Sequence, residues 1–158
     1  KLSQKISSKN LTKSNSSLEL ANWITEVPVI YYPNGFQAVA IRFKNSLQEN
    51  SKIHAIAEEV LETCHNGIVS WESDEKFKPI LIKGKNDHPK TKERWKILGK
   101  YFNSKKIEYK EIISVNGNIL SKVINLIYQL DYTSIYLAVI NQKDPSPVHA
   151  INFIKKKL

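Results

Sequence analysis

The sequence has 158 residues, the size of one domain, with 41% hydrophobic and 25% charged residues, 5 glycines and 6 prolines, which excludes collagen-like, low-complexity and wholly disordered chains. A chain of this length buries roughly 70% of its extended surface on folding, enough for a core without staples. The formal net charge is +9, and 22 of the 24 basic residues are lysines spread along the chain, Arg42 and Arg94 being the exceptions. That distribution reads as a solvated surface suited to attracting anionic metabolites, not as a nucleic-acid reader, where arginine interleaves with aromatics or a docking motif is present.

Cys64 has no second cysteine to pair with, which fits a reducing compartment. No run of 18 uninterrupted apolar residues is present, and the first ten residues lack the apolar stretch of a secretory leader. The expectation is a cytoplasmic domain without membrane contact. The absence of any methionine suggests that the natural chain starts further upstream.

Residues 1–17 hold six serines, four lysines and no acid, and read as a linker or flexible arm. The domain proper is expected over 18–158. Leu18, Leu20, Ala21 and Ile24 predict a short helix that stops before Pro28. Val27 to Tyr32 reads as a buried strand closed by Pro33-Asn34-Gly35. Phe36, Val39, Ala40, Phe43 and Leu47 recur at helical spacing, so a helix is expected to about Glu49. Ile53 to Ala57 reads as a short strand and Glu58 to Cys64 as a helical turn. Pro79 to Gly84 is a strand. Asp87 and Pro89 read as N-cap and first-turn proline of a helix carrying Trp95, Leu98 and Phe102. Ile107 to Val115 supplies another strand. A long helical pattern then runs from Leu120 to Val139, with a bend expected near Asp131. Asp144-Pro145-Ser146-Pro147 opens a last helix ending in the terminal lysines.

Strands alternating with helices imply an α/β fold, a three-layer αβα sandwich with a mostly parallel sheet plus C-terminal helices. The strands are continuous apolar runs, as burial on both faces requires. Ligands in such folds gather at the carboxyl ends of the strands. The chain has no glycine-rich phosphate loop, dinucleotide fingerprint or nucleophile elbow. The histidines His54, His65, His88 and His149 match no structural zinc spacing, and neither metal nor cofactor is expected.

Three strings carry a resemblance. Arg42-Phe43-Lys44-Asn45-Ser46-Leu47-Gln48-Glu49-Asn50-Ser51-Lys52 is similar to the Arg-x-Lys-x-x-x-x-Glu-Asn-small-Lys stretch of the bifunctional phosphoglucose/phosphomannose isomerases of archaea and bacteria. Sixteen residues past Glu49 begins His65-Asn66-Gly67-Ile68-Val69-Ser70-Trp71-Glu72, which resembles the family's His-Asn-Glu-Ile-Val-Gly-Trp-Glu. Asp131 to Ala138 and Asp144-Pro145-Ser146-Pro147-Val148 resemble its closing helices. The order is the family's. Gly67 stands where the family has glutamate, and Ser70 where it has glycine.

The resemblance implies a sugar isomerase (SIS) domain, the second of a tandem pair. The partners it implies are an N-terminal SIS domain of the same protein, which would supply most of the phosphate-binding loop, a second copy in a homodimer, and a sugar-phosphate substrate. It further implies Glu49 as the base that shuttles a proton between C1 and C2, and His65 as the ring-opening acid, donated across the dimer. A lysine of the last helix would stabilise the enediolate oxygen: Lys155 is the choice, with the adjacent Lys156 and Lys157 as alternatives, since only one of the three can face the site. Ser146 would supply the hydroxyl that tolerates both C2 epimers. Arg42 is a candidate for the substrate phosphate, with an ion-paired role as the alternative. Such an enzyme interconverts glucose 6-phosphate, mannose 6-phosphate and fructose 6-phosphate through a cis-enediol. The competing reading is a non-catalytic sugar-phosphate-binding SIS module.

Overall fold

The computed structural model describes residues 2–10, 14–73 and 76–158. The helices are α1 (Leu2–Ile6), α2 (Ser16–Trp23), α3 (Gln37–Asn50), α4 (Val60–Thr63), α5 (Pro89–Ser104), α6 (Ile119–Ile140) and α7 (His149–Lys155), with 3-10 turns at Ser8–Asn10 and Gly67–Glu72. The strands are β1 (Val27–Tyr32), β2 (Ile56–Glu59), β3 (Phe77–Lys83) and β4 (Lys110–Ile113), in a parallel sheet of order β2-β1-β3-β4.

Period-two alternation divides the strands between two apolar layers. Ile30 and Tyr32 of β1 and Ile80 and Ile82 of β3 pack under α2, α3 and α6, against Leu20, Val39, Phe43, Leu47, Leu126 and Leu130. Val29, Tyr31 and Leu81 point to the other face and meet Val60, Trp71, Trp95, Leu98 and Phe102. This is the three-layer sandwich expected from strands that are apolar on both faces. In the second layer Trp71 Nε1 donates to the Tyr31 hydroxyl at 2.8 Å. Burial pushes the Tyr31 phenol well above its usual range.

Four local expectations change. α6 is one continuous helix of 22 residues, without interruption at Asp131, whose carboxylate finds its partners on the flank of α3. β2 lies three residues later than the apolar run implies. Parallel pairing with β1 sets Glu58 and Glu59 opposite Tyr31 and Tyr32, and Ile53 instead packs on the core as part of the loop. β4 is shorter than expected, since Ile107 and Tyr109 pack against the α5 layer rather than continuing the ladder. The N-cap of α5 is His88, while Asp87 accepts from the Gly84 amide at 2.9 Å and from Trp95 Nε1 at 3.0 Å.

The amino-terminal segment, expected to be a linker or flexible arm, is docked over the residues described. α1 lies against α2 and α6, Ile6 is fully buried, and the Tyr136 hydroxyl donates to the Ile6 carbonyl. One buried isoleucine and one hydrogen bond leave no periodicity for a sequence reading to find. The buried Asn15 caps α2, its Oδ1 accepting from the Leu18 amide at 3.1 Å. Asn15→Ala is therefore expected to lower unfolding free energy by about 1 kcal/mol in a denaturant titration.

α6 has the length and the mean hydropathy (1.3 over 18 residues) to cross a membrane, although it is interrupted by polar residues. Its packing makes it the central helix of its layer: Leu126, Leu130, Thr133, Ser134 and Leu137 are buried, and Asp131 at its middle is ion-paired to α3. Its opposite side leaves Leu120, Ile124, Ile135 and Val139 exposed.

Candidate functional site

α3 follows β1 and must return before β2, so it runs antiparallel to the strands and ends at their amino edge. α6 follows β4 and returns in the same way. The carboxyl ends of α3 and α6 therefore share that edge, and a polar ladder runs from the middle of both helices to the end of α3. Arg42 Nε donates to both Asp131 carboxylate oxygens at 3.1 Å, and Nη2 donates to Oδ2 at 2.8 Å. Ser46 Oγ donates to Asp131 Oδ1 at 3.1 Å. Further along, Asn50 Nδ2 donates to Ser134 Oγ at 2.8 Å, and Ser51 Oγ to the Ser134 carbonyl at 2.6 Å.

Arg42 is thus engaged by Asp131, the alternative left open by the sequence. The carboxylate raises the pKa of the guanidinium, first through the hydrogen bond and then through charge. Surface pairs of this kind contribute only about 0–1 kcal/mol. The value of the fork is geometric, because a bidentate arginine fixes orientation as well as contact. Much of the Arg42 to Lys52 string therefore fastens the end of α3, with Glu49 beside its last rungs.

Glu49 is exposed and lines a cleft of about 300 Å³. Gln48, Glu49 and Lys52 form one wall, and Pro147 to Ile151 the other. Lys52 Nζ crosses between them, donating to the Glu49 carbonyl at 2.5 Å and the Pro147 carbonyl at 2.7 Å. Before α7, Asp144 Oδ1 accepts from the Ser146 amide at 2.9 Å. Hydrogen bonds from Ser146, with a smaller contribution from the Lys52 charge, hold the Asp144 carboxyl below its usual range. Ser146 is exposed in this loop beside the cleft. Ile151 lines the cleft, and Lys155 lies four residues on, one helical turn away on the same face of α7. Lys156 is the helix C-cap.

His65 is elsewhere. β2 runs from the amino edge to the carboxyl edge, α4 continues beyond it, and exposed His65 follows α4. β2, ~13 Å long, therefore separates the edge that carries Glu49 from the edge that carries His65. The His65 loop is held by Thr63 Oγ1, which donates to Glu58 Oε2 at 3.2 Å, and by Asn66 Nδ2, which donates to Glu62. A Cβ on Gly67 would sit 2.5 Å from that Glu58 oxygen, so any side chain here must turn Glu58 aside.

One chain thus brings together Glu49, the Ser146 loop and the Lys155 face, and leaves His65 on the far edge. The general expectation for open sheets, a ligand at the carboxyl ends of the strands, does not describe the Glu49 cleft, because Glu49 sits at the end of a returning helix. At the switch point between β1 and β3, Gly84 is packed by Phe36 and Asp87. Sequence reasoning also passes over Lys52 and His149 as cleft residues. The Lys52 tie to Pro147 spans 95 positions and has no periodic signature.

The strand order, the two helical layers and the C-terminal helices define an α/β domain of the SIS type. A glucose-6-phosphate isomerase like protein from Thermus thermophilus has the same fold, with a TM-score of 0.72 at 18% identity, covering 91% of this chain and 48% of that one. The C-terminal domain of glucosamine-fructose-6-phosphate aminotransferase from Francisella tularensis follows, with a TM-score of 0.59 at 15% identity, covering 83% of this chain and 41% of that one. The family described as the bacterial phospho-glucose isomerase C-terminal SIS domain matches residues 13–158, and the chain belongs to it. A bifunctional phosphoglucose/phosphomannose isomerase of Caldicellulosiruptor bescii is 34% identical over 155 residues, 95% of this chain and 44% of the relative. The protein of the same description from Aquifex aeolicus is 30% identical over 144 residues, 89% of this chain and 45% of the relative. The chain spans about half the length of the curated relatives it matches.

Proposed function

We propose that this chain is the base-bearing half of an aldose–ketose isomerase that interconverts glucose 6-phosphate, and mannose 6-phosphate, with fructose 6-phosphate. The observation that carries the reading is that Glu49, the residue the family resemblance assigns as base, lines an open cleft on a helix end locked to α6. In this reading the Glu49 carboxylate takes the C2 proton of the open-chain aldose. The C2–H electrons form the C1–C2 double bond, and the carbonyl pair moves to O1, giving a cis-enediolate. Lys155, on the cleft face of α7, offsets the charge on that oxygen. The O2–H proton then passes to O1 as Glu49 returns its proton to C1: the double-bond pair forms the new C1–H bond, the O2–H pair forms the C2 carbonyl, and the ketose results. Ser146 supplies a hydroxyl beside the cleft that accommodates either C2 configuration. Arg42 acts through its pair with Asp131, by holding α3.

His65 opens the ring as a general acid and comes from a second copy of the chain. The support is topological: His65 and Glu49 lie on opposite edges of the same sheet, which favours their reaching one sugar from two chains. The N-terminal SIS domain supplies the phosphate loop, for which the described residues offer no glycine-rich or serine-rich candidate near the cleft. A sugar-phosphate-binding module without turnover would have no use for the carboxylate. The test is formation of fructose 6-phosphate from glucose 6-phosphate by the full-length protein, alongside exchange of the C2 proton with deuterium. Turnover with exchange is expected. Binding without either supports the regulatory reading instead.

A further inference from the structure

Within that isomerase reading, we propose that Lys52 is a positioning residue for the Glu49 cleft, coupling the base-bearing end of α3 to the loop that launches α7. Its ammonium donates to the carbonyl of Glu49 itself and to that of Pro147, so one side chain bonds to both walls of the cleft. The Glu49 carbonyl belongs to the last turn of α3, whose carbonyls lack intrahelical partners, and a cation there also complements the helix dipole.

The other wall has little else to hold it. No residue of α7 is buried, and Ile151, Phe153 and Ile154 are exposed. A seven-residue helix without a packed face is unstable alone. The Lys52 charge also reaches Asp144, whose carboxylate shapes the turn at Ser146. Lys52 therefore touches the three things that place the proposed chemistry: the backbone of the base, the Ser146 turn and the entry to α7.

Lys52 occupies the position just past the α3 C-cap with φ +57°, where glycine is the unstrained choice. Lys106 and Gln142 have the same conformation after α5 and α6, so the backbone alone does not single out Lys52. The two bonds from its ammonium do.

That conformation separates the ammonium from the backbone in a test on the full-length protein. Lys52→Gly relieves the left-handed strain but removes the ammonium. Lys52→Arg keeps a cation and donors. Lys52→Ala keeps the strain and removes the donor. Turnover of glucose 6-phosphate is expected to fall about tenfold or more in both the alanine and glycine variants with KM changed far less, the cost of a misplaced catalytic group. The arginine variant should recover most of the rate. Amide hydrogen exchange should quicken over residues 144–155 in the alanine and glycine variants and not in the arginine variant. A glycine variant with the wild-type rate would overturn the proposal, because a backbone role would then suffice. Unchanged exchange over 144–155 in both donor-free variants would overturn it independently of any activity. If wild-type protein does not turn over, the isomerase reading fails, and the exchange measurement still decides whether Lys52 ties the two walls.

Discussion

Glu49→Gln in the full-length protein is expected to cost about a hundredfold or more in turnover, the usual worth of a positioned general base. Glutamine keeps the size and hydrogen-bonding reach of the side chain at the end of α3 but accepts no C2 proton. Affinity for a sugar phosphate should change far less, because the phosphate contacts lie outside this cleft in the proposed site. Stability should move by no more than about 1 kcal/mol, since Glu49 is exposed and the variant leaves the ladder to α6 intact. The measurement pairs fructose 6-phosphate formation with loss of deuterium from C2. Undiminished turnover would remove Glu49 as base and with it the transfer of the mechanism.

His65→Asn is expected to cost about a hundredfold as well, but only where a ring must open. Asparagine keeps a donor near the loop held by Thr63 and Glu58 while losing the acid. An aldose phosphate with no hydroxyl free to close a ring bypasses this step. With such a substrate the ratio of variant to wild-type rate should rise towards one. The same deficit for cyclic and acyclic substrates would place His65 in the proton transfer itself, or in the fold of its loop.

The parts of the fold legible in the sequence are those in which burial leaves a pattern. β1 and β3 are apolar on both faces, and α3 and α5 repeat their core residues at helical spacing, so the layers follow directly. The apolar run misplaces β2 because Glu58 and Glu59 join the ladder through pairing with β1, against their own weak strand preference. α1 escapes a periodicity reading because a single buried isoleucine has no period. At the site, the family resemblance singles out Glu49, but its surroundings are long-range polar contacts. Arg42 meets Asp131 89 positions away, and Asn50 meets Ser134 84 away. Side-chain pairs of that separation are invisible to local periodicity. The placement of Glu49 and His65 on opposite edges is latent in the β-α-β order, since a helix between parallel strands must return to the edge where the first began. The expectation of ligands at the carboxyl ends of strands points to the edge opposite the one that carries Glu49.

The central claim, that each site joins Glu49 of one chain to His65 of another, is tested most directly by mixing the two defective proteins. Full-length Glu49→Gln and His65→Asn are co-expressed in equal amounts, so that heterodimers form about half of the population. Every heterodimer then holds one site with both residues intact and one with neither. Turnover of glucose 6-phosphate should recover to about a quarter of the wild-type value, far above either variant alone. A mixture no more active than its two components would contradict the account, because Glu49 and His65 would then have to act from the same chain.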